Sequence, residues 1–380
     1  MKDRLYGTRL YINCSQLESN INYIQTIIGE AEIIAMIKAN AYGFGDILMT
    51  KKMKQFGVNY FAVADFEEGV RLRQNDINSS IMVMNTSKSS MKMIIENRLE
   101  PVIYSMDMLN CVIDSLKLQL NNEKTDPYPV HLKINTGMNR WGFDIEEIPD
   151  LITRLKSHST CILIKSLYSH LSSAENNKYQ IFTQNQIKTF IKIKNKFQEA
   201  LKYNIKTHIH NSFGLINFPN TISDFNYSRI GIGLYGGFQN PNLKPIGELR
   251  CRVSQIRNLK PNDSVGYNRE FVAKKSMQIA TIPFGYADGL QRSWGNGILK
   301  FYYKGYLLPT VGNISMDSCS IDVTNLVNNS KLPGNDSLLV DDEIVYFGKE
   351  RSIWDLSKEL NTIPYEIIAT LSRRIKRIYY

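Results

Sequence analysis

Short apolar runs recur along the first two thirds of this chain, at Ile33–Ile37, Tyr60–Val63, Ile81–Met84, Val102–Tyr104, Val130–Ile134, Leu163–Tyr168, Thr207–Ile209 and Arg229–Ile232. Most are separated by amphipathic or polar stretches of helical length. Ahead of them, Arg9–Asn13 is strand-like, and Ser15 can cap a helix whose apolar stripe is Leu17, Ile21, Ile24 and Ile28. Strands that alternate with helices pair in parallel through right-handed crossovers, so the eight runs predict an α/β fold, an N-terminal (β/α)8 barrel over residues 14–240. A doubly wound open sheet would give a similar pattern, and short runs such as Val102–Tyr104 carry the weakest signal.

Near Gly236 the alternation stops. Gly236-Gly-Phe-Gln-Asn-Pro-Asn-Leu-Lys-Pro245 is dense in turn formers and has the character of a linker. Beyond it, Leu249–Ile256, Val265–Phe271, Met277–Ile282, Leu299–Tyr303, Ser318–Val323 and Glu343–Phe347 are β-rich segments broken by Gly, Pro, Asn and Asp. They predict a mostly β C-terminal domain over residues 241–380, with a strand from residues 1–13 joining it. Trp354–Leu360 is expected to form a short helix before a terminal strand.

Composition narrows the function classes. With 380 residues, 43% hydrophobic and 22% charged, the chain is long enough for two globular cores. The net charge of +10 comes from lysines and arginines scattered along the chain, with no nucleic-acid motif beside them. The densest cluster, Arg373-Arg374-Ile-Lys376-Arg377, alternates with Ile375 and Ile378 and is expected to be a solvated strand face. The five cysteines, Cys14, Cys111, Cys161, Cys251 and Cys319, form no C-x-x-C pair. That suits reduced thiols in the cytoplasm and argues against a zinc site. No stretch reaches the ~18 apolar residues of a membrane span, and Met1-Lys-Asp-Arg-Leu5 lacks the core of a signal peptide.

In a (β/α)8 barrel the reactive groups belong at the C-terminal ends of the strands. Lys38 ends the first run, in Lys38-Ala-Asn-Ala-Tyr42-Gly43-Phe-Gly45, and an apolar strand end lowers a lysine's pKa toward a nucleophilic amine. The fifth run ends in Lys133-Ile-Asn-Thr-Gly-Met-Asn-Arg140-Trp-Gly-Phe, and the sixth in Tyr168-Ser-His170. The seventh, Thr207-His-Ile-His210-Asn211-Ser212, sets two histidines on one face without a third ligand, which disfavours a metal. Its Asn211 and Ser212 stand where a hydroxyl and backbone N–H groups can hold phosphate. Arg229-Ile-Gly231-Ile-Gly233-Leu-Tyr-Gly236 spells G-x-G-x-x-G but runs into the linker and opens no helix, so it is not a dinucleotide loop.

These motifs resemble, in order and across the chain from about Arg9 to Tyr380, those of the alanine racemase family. The resemblance implies pyridoxal 5′-phosphate (PLP) as cofactor, carried on Lys38. It implies phosphate contacts from Tyr42, Asn211, Ser212, Gly231, Ile232 and Tyr365, stacking by His170, and Arg229 at the pyridine nitrogen. A guanidinium there keeps that nitrogen unprotonated and disfavours transamination. Lys133 matches the lysine that is often carbamylated, and Arg140 the arginine it steers toward substrate. The family more often has Asp where this chain has Asn135. In the β domain, Val265-Gly-Tyr267 resembles the segment with a second base, Ile282-Pro-Phe-Gly-Tyr286 the one with an entrance tyrosine, and Val311-Gly-Asn-Ile-Ser-Met316-Asp317 the substrate-carboxylate loop.

Racemisation moves a proton from one face of Cα to the other, so it needs two bases, and the resemblance supplies Lys38 for the D face and Tyr267 for the L face. The expectation is a cytoplasmic homodimer with sites shared between subunits, interconverting L- and D-alanine and supplying D-alanine for peptidoglycan. A related racemase preferring serine is an alternative. So is a decarboxylase of the same fold, although those place an acidic residue where Arg229 stands. A non-catalytic PLP carrier would be a lone barrel.

Overall fold

The computed structural model describes residues 7–119, 126–237, 239–327 and 338–380. Met1–Leu5 and the linker residue Phe238 lie outside them. The chain divides into two compact units, one of Glu18–Ala41 with Asp46–Leu234, the other of Met1–Leu17, Tyr42–Gly45 and Tyr235–Tyr380.

A first strand, β1 (Arg9–Ile12), leads into the helix Cys14–Ile28, whose Leu17, Ile21, Ile24 and Ile28 are all buried. Eight strands follow: β2 (Glu32–Met36), β3 (Tyr60–Val63), β4 (Ser80–Val83), β5 (Glu100–Ile103), β6 (Tyr128–Lys133), β7 (Ile162–Tyr168), β8 (Lys206–His208) and β9 (Tyr227–Ile230). They form one sheet in the order β8-β7-β6-β5-β4-β3-β2-β9, and every pair in it is parallel. Two backbone bonds join its outer strands, from Asn226 N–H to the Thr207 carbonyl at 2.9 Å and from Arg229 N–H to the His210 carbonyl at 3.1 Å. The sheet therefore closes, and the barrel is chosen over the open sheet. Strands β3 and β5 are buried at every position, as parallel strands covered on both faces must be. Each leucine or isoleucine so buried contributes about 1.5–3 kcal/mol.

The other unit is a nine-stranded sheet containing β1 and β10 (Gly247–Arg252), β11 (Gln255–Leu259), β14 (Met277–Ile282), β15 (Lys300–Tyr303), β16 (Tyr306–Val311), β17 (Cys319–Asp322), β18 (Glu343–Phe347) and β19 (Lys376–Tyr379). A small ladder of β12 (Ser264–Val265) and β13 (Phe271–Val272) stands apart from it. The apolar run Leu249–Ile256 is split into β10 and β11, with Val253 buried at the break. Phe284 packs edge-on against Phe301 and Tyr346, and all three are fully buried.

The C-terminal basic cluster is more than a solvated face. Arg377 donates to the carbonyls of Gly43, Leu371, Ser372 and Ile375, and Arg374 pairs with Asp288 and Asp317. Charge alone cannot distinguish a free cation from one that caps backbone carbonyls. The five cysteines are free, three of them buried. No described helix is long and apolar enough to cross a membrane.

Candidate active site

Strand β2 ends at a backbone turn that local propensity does not foretell. Ala39, Asn40, Ala41 and Tyr42 all have φ between 52° and 56°, in the left-handed region. That conformation costs an L-residue roughly 1–2 kcal/mol. Specific bonds hold it. Glu68 Oε1 accepts from Ala39 N–H at 2.6 Å, the Ile37 carbonyl accepts from Ala41 N–H at 2.9 Å, and Asn40 Oδ1 accepts from Asp46 N–H at 3.2 Å. Glu68 is itself fixed, because its Oε2 accepts from Ala64 N–H at 2.8 Å where helix Phe66–Arg73 begins. The strained turn therefore sets where Lys38 leaves the strand. Burial lowers the Lys38 pKa, the Arg140 charge lowers it further, and Glu68 opposes both.

Lys133, at the end of β6, is buried, with its ammonium nitrogen 5.1 Å from the centre of the Trp141 ring. Burial, then the charges of Arg140, Arg229 and Lys38, bring its pKa down to about 7. The loop after it folds back because Gly142, at φ +125°, lets Asn135 N–H reach the Phe143 carbonyl at 2.9 Å; a Cβ there would stand 2.6 Å from Asn135 N. The Asn135 side chain organises that loop. Its Oδ1 accepts from Gly137 and Asn139 N–H, both at 3.1 Å, while its amide donates to Asp144 Oδ1 at 2.7 Å. Arg140 is exposed, with its guanidinium 5.3 Å from the Trp141 ring.

Arg229 is 2% exposed. It donates to the Ser169 carbonyl at 2.6 Å, His170 Nδ1 at 3.0 Å and His208 Nδ1 at 2.5 Å, and lies 4.7 Å from the Tyr168 ring centre. Burial brings it down to about 10, so it stays cationic at neutral pH. Burial first, and then the Arg229 charge, hold His170 and His208 far below the ordinary imidazole range, so both rings are neutral acceptors. His210 turns instead to Thr221, at 2.9 Å from Nε2. Among the described residues no group of three or more His, Cys, Asp or Glu could hold a metal.

Beyond β8, Ser212 Oγ accepts from Gly231 N–H at 3.3 Å and Gly233 N–H at 3.1 Å, which leaves its own hydroxyl hydrogen to donate. Ile232 is buried between the two glycines. Asn211 works within the chain: its Oδ1 caps helix Ser212–Asn217 through Gly214 N–H at 2.8 Å, and its Nδ2 donates to the Leu171 carbonyl at 3.2 Å. The donors around Ser212, a neutral imidazole, a depressed lysine and a buried guanidinium have the chemistry that suits a phosphorylated pyridine aldehyde.

In the other unit, Tyr42 is buried, with its ring 6.0 Å from that of Tyr365. Tyr267 follows Gly266 (φ +74°) and is 70% exposed. The Tyr286 and Met316 loops are zipped together by Tyr286 N–H to Ser315 O and Ala287 N–H to Met316 O, each at 3.0 Å, and both side chains are exposed. Asp317 is paired with Arg374 at 2.8 Å. Glu68 belongs to no active-site motif in the sequence, and His208 reads there only as half of a histidine pair without a third ligand. A carboxylate three residues after a helix-capping Asp65 was the signal available for Glu68.

Residues 12–239 match the alanine racemase N-terminal domain family, and residues 246–379 the C-terminal domain family. The alanine racemase of Clostridium novyi is 32% identical over 97% of this chain and 94% of its own length. A Helicobacter pylori alanine racemase is 31% identical over 97% of each. Among solved structures, the alanine racemase of Clostridium difficile superposes with a TM-score of 0.85 at 28% identity, covering 98% of this chain and 95% of that one. The Bartonella henselae alanine racemase, described with covalently bound pyridoxal phosphate, does so with a TM-score of 0.83 at 28% identity, covering 99% and 100%. Matched end to end by both domain families and by relatives of this closeness, the chain belongs to the alanine racemase family.

Proposed function

We propose that this amino-acid racemase interconverts L-alanine and D-alanine with PLP carried on Lys38, using Lys38 and Tyr267 as its two bases. The cofactor, when bound, spreads into its ring the electron pair left on Cα as the proton departs. The chain's own groups do the rest. Lys38 Nζ, its pKa depressed by burial, is available as a neutral amine on the D face. The phenol of Tyr267 serves the L face, so the proton taken up by one base is matched by a proton given by the other to the opposite side. Ser212 Oγ, the N–H groups of Gly231 and Ile232, and the hydroxyls of Tyr42 and Tyr365 hold the phosphate, with Asn211 bracing Ser212 from the helix cap. His170 stacks on the pyridine ring and Arg229 faces its nitrogen. Arg140, steered by the carboxylate of a carbamylated Lys133, binds the substrate carboxylate together with the Met316–Asp317 loop, and Tyr286 lines the entrance.

One observation carries this reading against the decarboxylase alternative. Arg229 is buried, cationic and tied only to neutral acceptors, so the position where a decarboxylase uses an acidic group holds a fixed donor. The working form we propose is a cytoplasmic homodimer with shared sites, and the product D-alanine serves peptidoglycan. Purified protein incubated with L-alanine tests the reaction. Decay of optical rotation to zero without carbon dioxide supports it, and release of carbon dioxide refutes it. Turnover of L-serine at a higher kcat/KM than L-alanine would reassign the substrate.

A further inference from the structure

Five consecutive barrel strands each contribute one buried side chain to a single hydrogen-bonded chain: Arg229 of β9, His208 of β8, Ser166 of β7, His131 of β6 and Glu100 of β5. Its links are Arg229 Nη1 to His208 Nδ1 at 2.5 Å, His208 Nε2 to Ser166 Oγ at 2.8 Å, Ser166 Oγ to His131 Nδ1 at 2.7 Å, and His131 Nε2 to Glu100 Oε2 at 3.0 Å. The two ends have opposite chemistry. A guanidinium only donates, and a carboxylate only accepts. Burial alone would raise the Glu100 pKa, but the hydrogen bonds from His131 and Lys165 and the Lys165 charge overcome it, so the carboxyl stays ionised. Lys165 Nζ donates to its Oε1 at 2.5 Å, and Tyr60 donates to Oε2 at 2.7 Å.

Between such ends each hydrogen has one place. Because Arg229 donates to Nδ1 of His208, that ring carries its hydrogen on Nε2 and gives it to Ser166. Ser166 then spends its only hydrogen on His131 Nδ1, and His131 gives Nε2–H to Glu100. The Tyr60 oxygen also lies 2.9 Å from His131 Nε2, but its hydrogen goes to Glu100, so it too accepts from Nε2–H, and turning His131 over would aim a lone pair at a carboxylate 3.0 Å away. Burial opposes a second proton on either ring.

We propose that Ser166, His131 and Glu100 are positioning residues, which lock His208 as its Nε2–H tautomer and so hold Arg229 as an oriented donor at the pyridine end of the cofactor. The role at the cofactor rests on the function proposed above, but the tautomers do not. The relay itself predicts a single arrangement of hydrogens through the barrel core, set by a carboxylate on β5.

The full-length protein labelled with nitrogen-15 histidine, with and without PLP, tests this by NMR. Near neutral pH, His131 and His208 should each show a protonated Nε2 and a bare Nδ1. An Nδ1–H or a doubly protonated ring at either residue overturns the proposal. Ser166→Thr and Ser166→Val have equal bulk and differ in the hydroxyl. The threonine variant should keep the His208 tautomer and kcat, whereas the valine variant should mix the tautomers and lose about ten-fold in kcat at little change in KM. Equal kcat and an unchanged tautomer in both also overturn it. If neither variant folds, the wild-type tautomers decide. A wild-type protein that does not racemise alanine would sink the proposed function and leave the tautomer result standing.

Discussion

Lys133 and Trp141 face each other across the loop after β6, the lysine nitrogen 5.1 Å from the indole centre. The ring shields an amine that burial and three cationic neighbours bring down to about pKa 7. A neutral amine attacks carbon dioxide and an ammonium does not. Lys133 is therefore expected to form a carbamate, detected as a carbon-13 signal after exposure to labelled bicarbonate. The signal should rise as pH increases through 7, because the neutral fraction rises through the pKa. Trp141→Ala admits water, returns the lysine toward its ordinary pKa and should weaken the signal. A carbamate signal that persists in Lys133→Ala would place the modification elsewhere.

Lys38 is expected to be the residue that carries the cofactor. Reduction of the PLP-loaded protein with borohydride, followed by peptide mapping, should find the pyridoxyl group on Lys38. A pyridoxyl group on any other lysine would contradict the assignment.

Arg229→Glu replaces a donor with a group that favours protonation of the pyridine nitrogen. Racemisation should fall, and the ratio of pyruvate to D-alanine formed from L-alanine should rise. An unchanged ratio would remove Arg229 from the control of reaction outcome.

Asn135→Asp converts a 2.7 Å amide-to-carboxylate bond into two facing carboxylates. The variant should lose about 1–2 kcal/mol at neutral pH. Repulsion raises the pair's folded-state pKa above the unfolded value, so the loss is present at neutral pH and relieved as pH falls through the raised pKa. Denaturant melts at pH 7 and pH 4 distinguish this from a loss that does not depend on pH.

Sharing of the site between subunits predicts complementation. Lys38→Ala and Tyr267→Phe should each be nearly inactive alone, while a mixed dimer holds one intact site. Random pairing after co-refolding makes half the dimers mixed, so activity should recover to about a quarter of wild type. No recovery, with mixed dimers confirmed by mass spectrometry, would refute shared sites and leave the racemase reading intact.

The order of elements was legible in the sequence because hydrophobic periodicity is local. Strand β3 runs over Tyr60–Val63 as its apolar pattern requires, and the β-rich segments after Pro245 follow from turn formers and alternation. The motifs around Lys38, Lys133 and Arg229 were equally visible, since each is a short continuous run. What sequence could not supply is which side chains meet. Arg229, His208, Ser166, His131 and Glu100 span five strands, and only parallel register in a closed barrel threads them into one hydrogen-bonded chain. The left-handed turn at Ala39–Tyr42 was hidden for a related reason: alanine by itself favours the right-handed helix, and bonds from Glu68, Ile37 and Asn40 hold the opposite hand. Asp317, matched to a substrate loop, proved to be paired with Arg374, and the terminal arginines became carbonyl caps. A charged or polar residue announces that it needs a partner, and tertiary structure alone decides which partner burial brings within reach.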